Sequence, residues 1–178
     1  MIEKRIHFEK DLLILKDIIS NGLKVLVIGG AGTIGSNYIK ELLRYQPKKI
    51  TIVDTNENGL TELTRDLRSS NLLDYNPVYI TYPVNLLSDT FDKVFYTNCW
   101  DVVANFSAHK HVRSEKDEIS IEALIKNNVY GAIKLLNLCE LNPPKYFFSV
   151  STDKAANPVN IMGASKSLME KLILSKKD

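Results

Sequence analysis

The chain has little cysteine. Cys99 and Cys139 are the two it holds in 178 residues. Two thiols make no disulfide framework, and without paired spacing they make no zinc site; reduced structural thiols are expected. It also has little excess charge. Lys and Arg number 23 against 21 Asp and Glu, a net charge of +2. That balance supplies no electrostatic pull toward nucleic acid or acidic lipid. No uninterrupted apolar run is long enough to span a bilayer. No secretory signal is expected either, because Glu9, Lys10, Asp11, Lys16 and Asp17 interrupt the N-terminal apolar residues. Neither nucleic acid nor membrane is therefore an expected partner, and a cytoplasmic location follows by default. No internal repeat or low-complexity segment is visible.

What is present is a globular composition, 44% hydrophobic and 25% charged. The length suffices for one domain with a real core. Its most informative stretch is 25–36, Val-Leu-Val-Ile-Gly-Gly-Ala-Gly-Thr-Ile-Gly-Ser. Val25 to Ile28 suit a strand buried on both faces of a parallel sheet. Apolar residues at helical spacing follow from Ile34 to Leu43. Strand, glycine turn and helix form the layout that a dinucleotide pyrophosphate needs. Gly29 and Gly30 permit a tight turn. Gly32 leaves room for phosphates beside the free N–H groups of Thr33 and Ile34, at the positive end of the helix dipole. Gly35 lets that helix approach the sheet. The alternative is an ordinary glycine-rich turn, since the pattern alone is weakly specific.

Upstream, residues 8–20 read as an amphipathic helix ending near Asn21-Gly22. Downstream, a second strand over 49–53 ends at Asp54, 19 residues after Gly35. This is close to the spacing of a carboxylate that bonds the adenosine ribose hydroxyls. Such a carboxylate repels a 2′-phosphate and favours NAD over NADP. The alternative for Asp54 is a cap on the helix at 57–69. A third strand covers 77–82, with Asn85 just past it where it can reach an adenine. A short helix at 88–96 and a fourth strand at 101–106 come next.

Ser107, Ala108, His109, Lys110, His111, Val112 and Arg113 then form a small-residue turn and a basic cluster. No carboxylate or cysteine completes a ligand set around His109 and His111, so no metal is expected. Cations beside a nicotinamide and substrate phosphates are the better use; a solvated basic loop is the alternative. One long helix is expected over 118–140, with Asn128 inside it. A mid-helix Asn is locally unfavourable, and such a conflict can mark a functional position. A fifth strand, 146–150, leads into Ser151, Thr152, Asp153 and Lys154, at the end of the sheet where open α/β folds bind ligands. A last helix runs from Gly163. Five alternations of strand and helix make a doubly wound parallel α/β sheet.

Together these residues resemble an extended short-chain dehydrogenase/reductase, and more narrowly the nucleotide-sugar 4,6-dehydratases of polysaccharide and glycan synthesis. The carrying segments are the glycine loop, Ala108 to Val112, Asn128-Val129-Tyr130-Gly131, Ser149 to Pro158, and Met162-Gly163-Ala164-Ser165-Lys166. The resemblance implies an NAD-binding Rossmann domain over 23–178, preceded by a helical extension at 1–22. Cofactor contacts are implied at Gly29, Gly32, Thr33, Ile34, Gly35, Asp54, Asn85, Ser107, Ala108, Lys110, Asn128 and Lys166.

The implied reaction is an internal redox cycle on a sugar such as that of UDP-N-acetylglucosamine. Hydride leaves C4 for NAD+, the C5 proton is removed, water is lost from C6, and hydride returns to C6. Thr152 would bond the C4 oxygen, Asp153 protonate the departing hydroxyl, Lys154 take the C5 proton, and Lys166 hold the nicotinamide ribose. Met162 stands where relatives usually carry tyrosine; a subset of UDP-N-acetylglucosamine 4,6-dehydratases shares this methionine. Relatives continue into a smaller substrate domain, so the chain reads as the cofactor-binding part of such an enzyme. The alternatives are a non-catalytic NAD-binding or oligomerising module, and an epimerase or reductase of the same superfamily. A homo-oligomer through the helices at 118–140 and 163–177 is the implied assembly.

Overall fold

A computed structural model of the protein describes residues 22–109 and 115–176. The helix expected over 8–20, and Lys110 through Arg113 of the basic cluster, lie outside them. The elements in order are β1 (Lys24–Ile28), α1 (Thr33–Leu43), β2 (Lys49–Asp54), α2 (Glu57–Ser69), β3 (Val78–Pro83), α3 (Asp89–Phe95) and β4 (Val102–Asn105). There follow α4 (Glu118–Ile125), a π-helical turn (Lys126–Tyr130), α5 (Gly131–Leu141), β5 (Tyr146–Ser149), a 3-10 turn (Asp153–Ala155) and α6 (Ile161–Leu174).

The five strands are all parallel, in the order β3-β2-β1-β4-β5. Alternation along β1 explains why this strand is central. Leu26 and Ile28 enter an apolar cluster with Phe91, Phe95, Trp100 and Leu135. Val25 and Val27 enter the opposite cluster with Ile39, Leu43, Ile52, Leu60 and Leu67. A strand whose successive side chains are all apolar can only lie between two helical layers. The chain order reverses between β1 and β4, which pair directly. The loops leaving these two strands therefore border one crevice at the carboxyl edge of the sheet.

The single helix expected over 118–140 is in fact three pieces, α4, the π-helical turn and α5. The apolar spacing reads the same through all three, because one extra residue per turn shifts the register without ending the helix. Asn128 sits in that turn and is 2% exposed, so it is not a solvent-facing asparagine.

Candidate functional site

The glycine loop leaves β1 through Gly29, whose φ is +77°. A Cβ there would also lie 2.5 Å from the Ser107 nitrogen, so only glycine lets the loops after β1 and β4 abut. A Cβ on Gly35 would lie 2.4 Å from the Gly29 carbonyl oxygen, which fixes how close α1 comes to the loop. Gly32 differs. Its Cβ position meets only the Gly29 oxygen, at 3.5 Å, and otherwise faces open space. Gly32 is the N-cap of α1; no side chain caps it and no acidic residue lies in its first turn. The amides of Thr33 and Ile34 are thus left at the positive end of a helix without a protein anion.

Asp54 closes the other side of this loop. One carboxylate oxygen accepts the Ala31 N–H at 2.9 Å, and the other accepts the Asn56 N–H at 3.0 Å. The cap of α2 is Asn56, which accepts from the Gly59 N–H, so capping is not what Asp54 does. Asn85 is exposed beyond β3, its Oδ1 accepting the Leu87 N–H at 2.8 Å.

The wall after β4 is tied down by buried amides. Asn105 Oδ1 accepts from the Ser107 N–H at 3.0 Å and from the Ser107 hydroxyl at 2.6 Å. Asn128 was expected to touch cofactor, and the structure corrects this. Its Oδ1 accepts the His109 N–H at 2.9 Å and a proton of the Asn127 amide at 3.2 Å. Its Nδ2 donates to the His109 carbonyl at 3.1 Å and to Ser165 Oγ at 3.0 Å. Both donors and both lone pairs are engaged, leaving no capacity for a ligand. Asn127, not Asn128, faces the groove.

The facing wall comes from the end of β5 and the start of α6. Thr152 and Lys154 line it, together with Met162 and Lys166. Met162 is 3% exposed, and its N–H donates to Glu115 Oε1 at 2.7 Å. α6 begins so near the 3-10 turn that a Cβ on Gly163 would lie 2.6 Å from the Lys154 carbonyl oxygen. Lys166 is 4% exposed; its Nζ donates to the Val150 carbonyl at 3.1 Å and lies 3.6 Å from Met169 Sδ. Burial pushes this ammonium down to about 8, against a smaller upward pull from Glu170. Asp153 is exposed and is not part of the groove lining. The Thr152 hydroxyl donates to it at 2.9 Å, which holds its carboxyl below the usual range. The acid role implied for Asp153 asks for the opposite shift.

These parts bound one groove of about 520 Å³ running from Asp54, Asn85 and the glycine loop to Thr152 and Lys166. Ser151, which the sequence places in this turn without a role of its own, also lines it; its Oγ is buried without a partner. Glu115 is the residue the sequence reading missed, since nothing in its sequence context signals a contact 47 residues away. An uncapped helix start, an open Cβ direction at Gly32 and a carboxylate at the end of β2 fit an extended dianionic dinucleotide with a ribose diol. Among the described residues, no three His, Cys, Asp or Glu side chains gather as a metal site. No described helix is long and apolar enough to cross a membrane.

Sheet order, loop and groove define a Rossmann-like α/β protein. The chain belongs to the polysaccharide biosynthesis protein family, which matches residues 25–178. An uncharacterised membrane protein of Methanocaldococcus jannaschii is 36% identical over 151 residues, covering 85% of this chain and 42% of that protein. An inverting UDP-N-acetylglucosamine 4,6-dehydratase of Campylobacter jejuni is 33% identical over 159 residues, covering 87% and 44%. The chain thus spans less than half the length of these relatives. In fold it is similar to the UDP-Glc/GlcNAc 4-epimerase of Campylobacter jejuni, with a TM-score of 0.75, 20% identity and coverage of 87% and 49%. The Bordetella bronchiseptica enzyme WbmF, solved with NADH, gives 0.70, 18% identity and coverage of 87% and 45%.

Proposed function

We propose that this chain is the coenzyme-binding part of an NAD-dependent nucleotide-sugar 4,6-dehydratase, acting on a sugar like that of UDP-N-acetylglucosamine. One observation carries the reading: a single groove joins an uncapped, acid-free helix start to the Thr152–Lys154 turn and Lys166. NAD, when bound, supplies a hydride acceptor and donor. The amides at Gly32 to Gly35 hold the diphosphate, and Asp54 takes the adenosine ribose and disfavours a 2′-phosphate. Lys166 holds the nicotinamide ribose, and Ser107 and Ala108 form the wall beside it.

Thr152 bonds the C4 oxygen of the sugar. Lys154 removes the C5 proton made acidic by a C4 ketone, and Asp153 gives its proton to the C6 hydroxyl as it leaves as water. Asp153 is ionised in the free chain; cover by the sugar strips its water and raises it toward the protonated form. The methionine at 162 cannot ionise, which favours this reading over an epimerase or reductase with a tyrosine there. Exposed Ile119, Tyr130, Leu168 and Leu174 on α4, the π-helical turn and α6 support a homo-oligomer through these helices.

The test is incubation with UDP-N-acetylglucosamine and NAD+, followed by detection of the 4-keto-6-deoxy product and its loss in Lys154→Ala. Saturable NAD+ binding with no product favours the non-catalytic module instead. A monomer at all concentrations in sedimentation removes the oligomer from the proposal.

A further inference from the structure

We propose that the edge of the sheet opposite the groove is a contact surface for an anionic lipid membrane. The groove lies at the carboxyl edge, so this surface and the coenzyme reading stand independently. Backbone bonds set the strand starts in one line. The Val78 N–H donates to the Lys48 carbonyl, that of Lys49 to Leu23, that of Asp101 to Lys24 and that of Tyr146 to Asp101, at 2.9–3.1 Å. Five strands side by side make this line about 20 Å long. Crossover helices run back against the strands, so α1, α3 and α5 all end at the same edge. α1 ends on one face of the sheet, α3 and α5 on the other. Five large hydrophobic side chains are 45% to 75% exposed along the edge: Tyr45, Val78, Tyr96, Leu141 and Tyr146. Three are tyrosines, whose apolar ring and polar hydroxyl suit the headgroup level of a bilayer.

The net charge of +2 hides an uneven distribution. Most acids at this edge are already taken. Asp66 pairs with Lys40, Glu41 with Arg44 at 3.4 Å, Asp92 with Lys134 at 2.6 Å, and Glu140 with Lys176. Asp101 pairs with Lys145 at 2.8 Å and also accepts the Lys24 N–H. Asp74 is the exception. Lys48, Arg68 and Lys93 are exposed and make no ion pair among the described residues. Helix dipoles account for Arg68 and Lys93, which lie in last turns. Lys48 is no such cap, since it precedes β2 with its stem beside Gly22. Next to it, the Lys49 ammonium lies 5.8 Å over the Trp100 ring. The apolar groups are spread among these cations along the whole edge. A protein partner needs a contiguous apolar core of matching shape. A fluid headgroup layer needs only separate rings and lysine heads that reach its phosphates, and no spanning helix.

The test is co-sedimentation of the full chain with two kinds of vesicle: phosphatidylcholine alone, and phosphatidylcholine with phosphatidylglycerol in roughly equal parts. Binding is expected to the anionic vesicles and not to the neutral ones, and it should weaken as salt rises. Lys48→Glu and Lys93→Glu should each lower the partition coefficient roughly fivefold or more, the effect of one basic contact with an anionic surface. Tyr45→Ser and Tyr96→Ser should lower it too, while leaving its dependence on salt unchanged. All four side chains are exposed, so each variant should melt within a few degrees of the wild type. No binding to the anionic vesicles overturns the proposal, as does equal binding to both kinds. Binding that none of the four substitutions weakens overturns it as well, because another surface then holds the lipid. An oligomer in lipid-free sedimentation that the tyrosine substitutions dissolve assigns the edge to a second copy of the chain, and also overturns it.

Discussion

The carboxylate of Asp54 accepts the backbone N–H of Ala31 at 2.9 Å, binding the end of β2 to the middle of the glycine loop. One side chain thereby shapes the anion seat and offers an acceptor beside it. Asp54→Ala leaves the Ala31 and Asn56 amides without their acceptors and is expected to destabilise the fold by about 1–2 kcal/mol. Asp54→Asn keeps part of this geometry and removes the charge. Calorimetry with NAD+ and NADP+ should then show a smaller preference for NAD+ than in the wild type. An unchanged preference places the discriminating charge elsewhere.

Gly32 and Gly35 separate binding from folding. A side chain at Gly32 enters open space, so Gly32→Val should melt within a few degrees of the wild type and lose NAD+ binding. A methyl at Gly35 collides with backbone at 2.4 Å, and Gly35→Ala is expected to cost about 1–3 kcal/mol of stability. Paired thermal melts and binding titrations check both. A Gly32→Val protein that binds NAD+ normally contradicts the assignment of the seat.

Lys166 predicts a dependence of stability on pH. Its folded-state value is lowered to about 8 from 10.5, so between those values the unfolded chain holds more protons. Stability contributed through this residue therefore rises with pH through that window; below it the full burial penalty applies. Cys139 and Tyr75, both pushed up to about 12 by burial, act in the opposite direction above their ordinary values of 9 and 10. The clean interval is pH 8 to 9. Denaturant unfolding of Lys166→Met should be more stable than wild type at neutral pH, by up to roughly 3 kcal/mol, with a flatter slope in that interval. A parallel slope removes the buried lysine from the account.

The Thr152 hydroxyl is the largest of the contacts that lower Asp153 in the free chain, ahead of the Lys154 backbone N–H and the Lys154 charge. Thr152→Val should return that carboxyl toward its ordinary range, followed by its 13C resonance in a pH titration. Loss of product formation in Thr152→Val without any movement of Asp153 assigns Thr152 to the substrate alone.

Much of the fold is legible in the sequence. Val25 to Ile28 followed by glycines states a buried parallel strand and its turn, because apolar continuity and the lack of a Cβ are local properties. Element ends moved by a residue or two; α6, for example, starts at Ile161 rather than Gly163, since Asn160 caps it. The π-helical turn was not legible. Its apolar residues keep helical spacing, and only long-range partners of Asn128 reveal the shift. The same holds for Glu115 on Met162 and for the orphaned hydroxyl of Ser151, which depend on what the fold brings near. The Thr152–Lys154 turn was placed correctly at the sheet's carboxyl edge, but its exposed carboxylate has no local sign in the sequence.

The central claim is that a nicotinamide dinucleotide lies with its diphosphate on the first turn of α1. Amide chemical-shift mapping of the 15N-labelled chain during an NAD+ titration tests it most directly. The account predicts saturable shifts concentrated at Gly29 to Gly35, Asp54, and Ser107 to Ala108. Shifts that do not saturate, or that gather away from the glycine loop, contradict it.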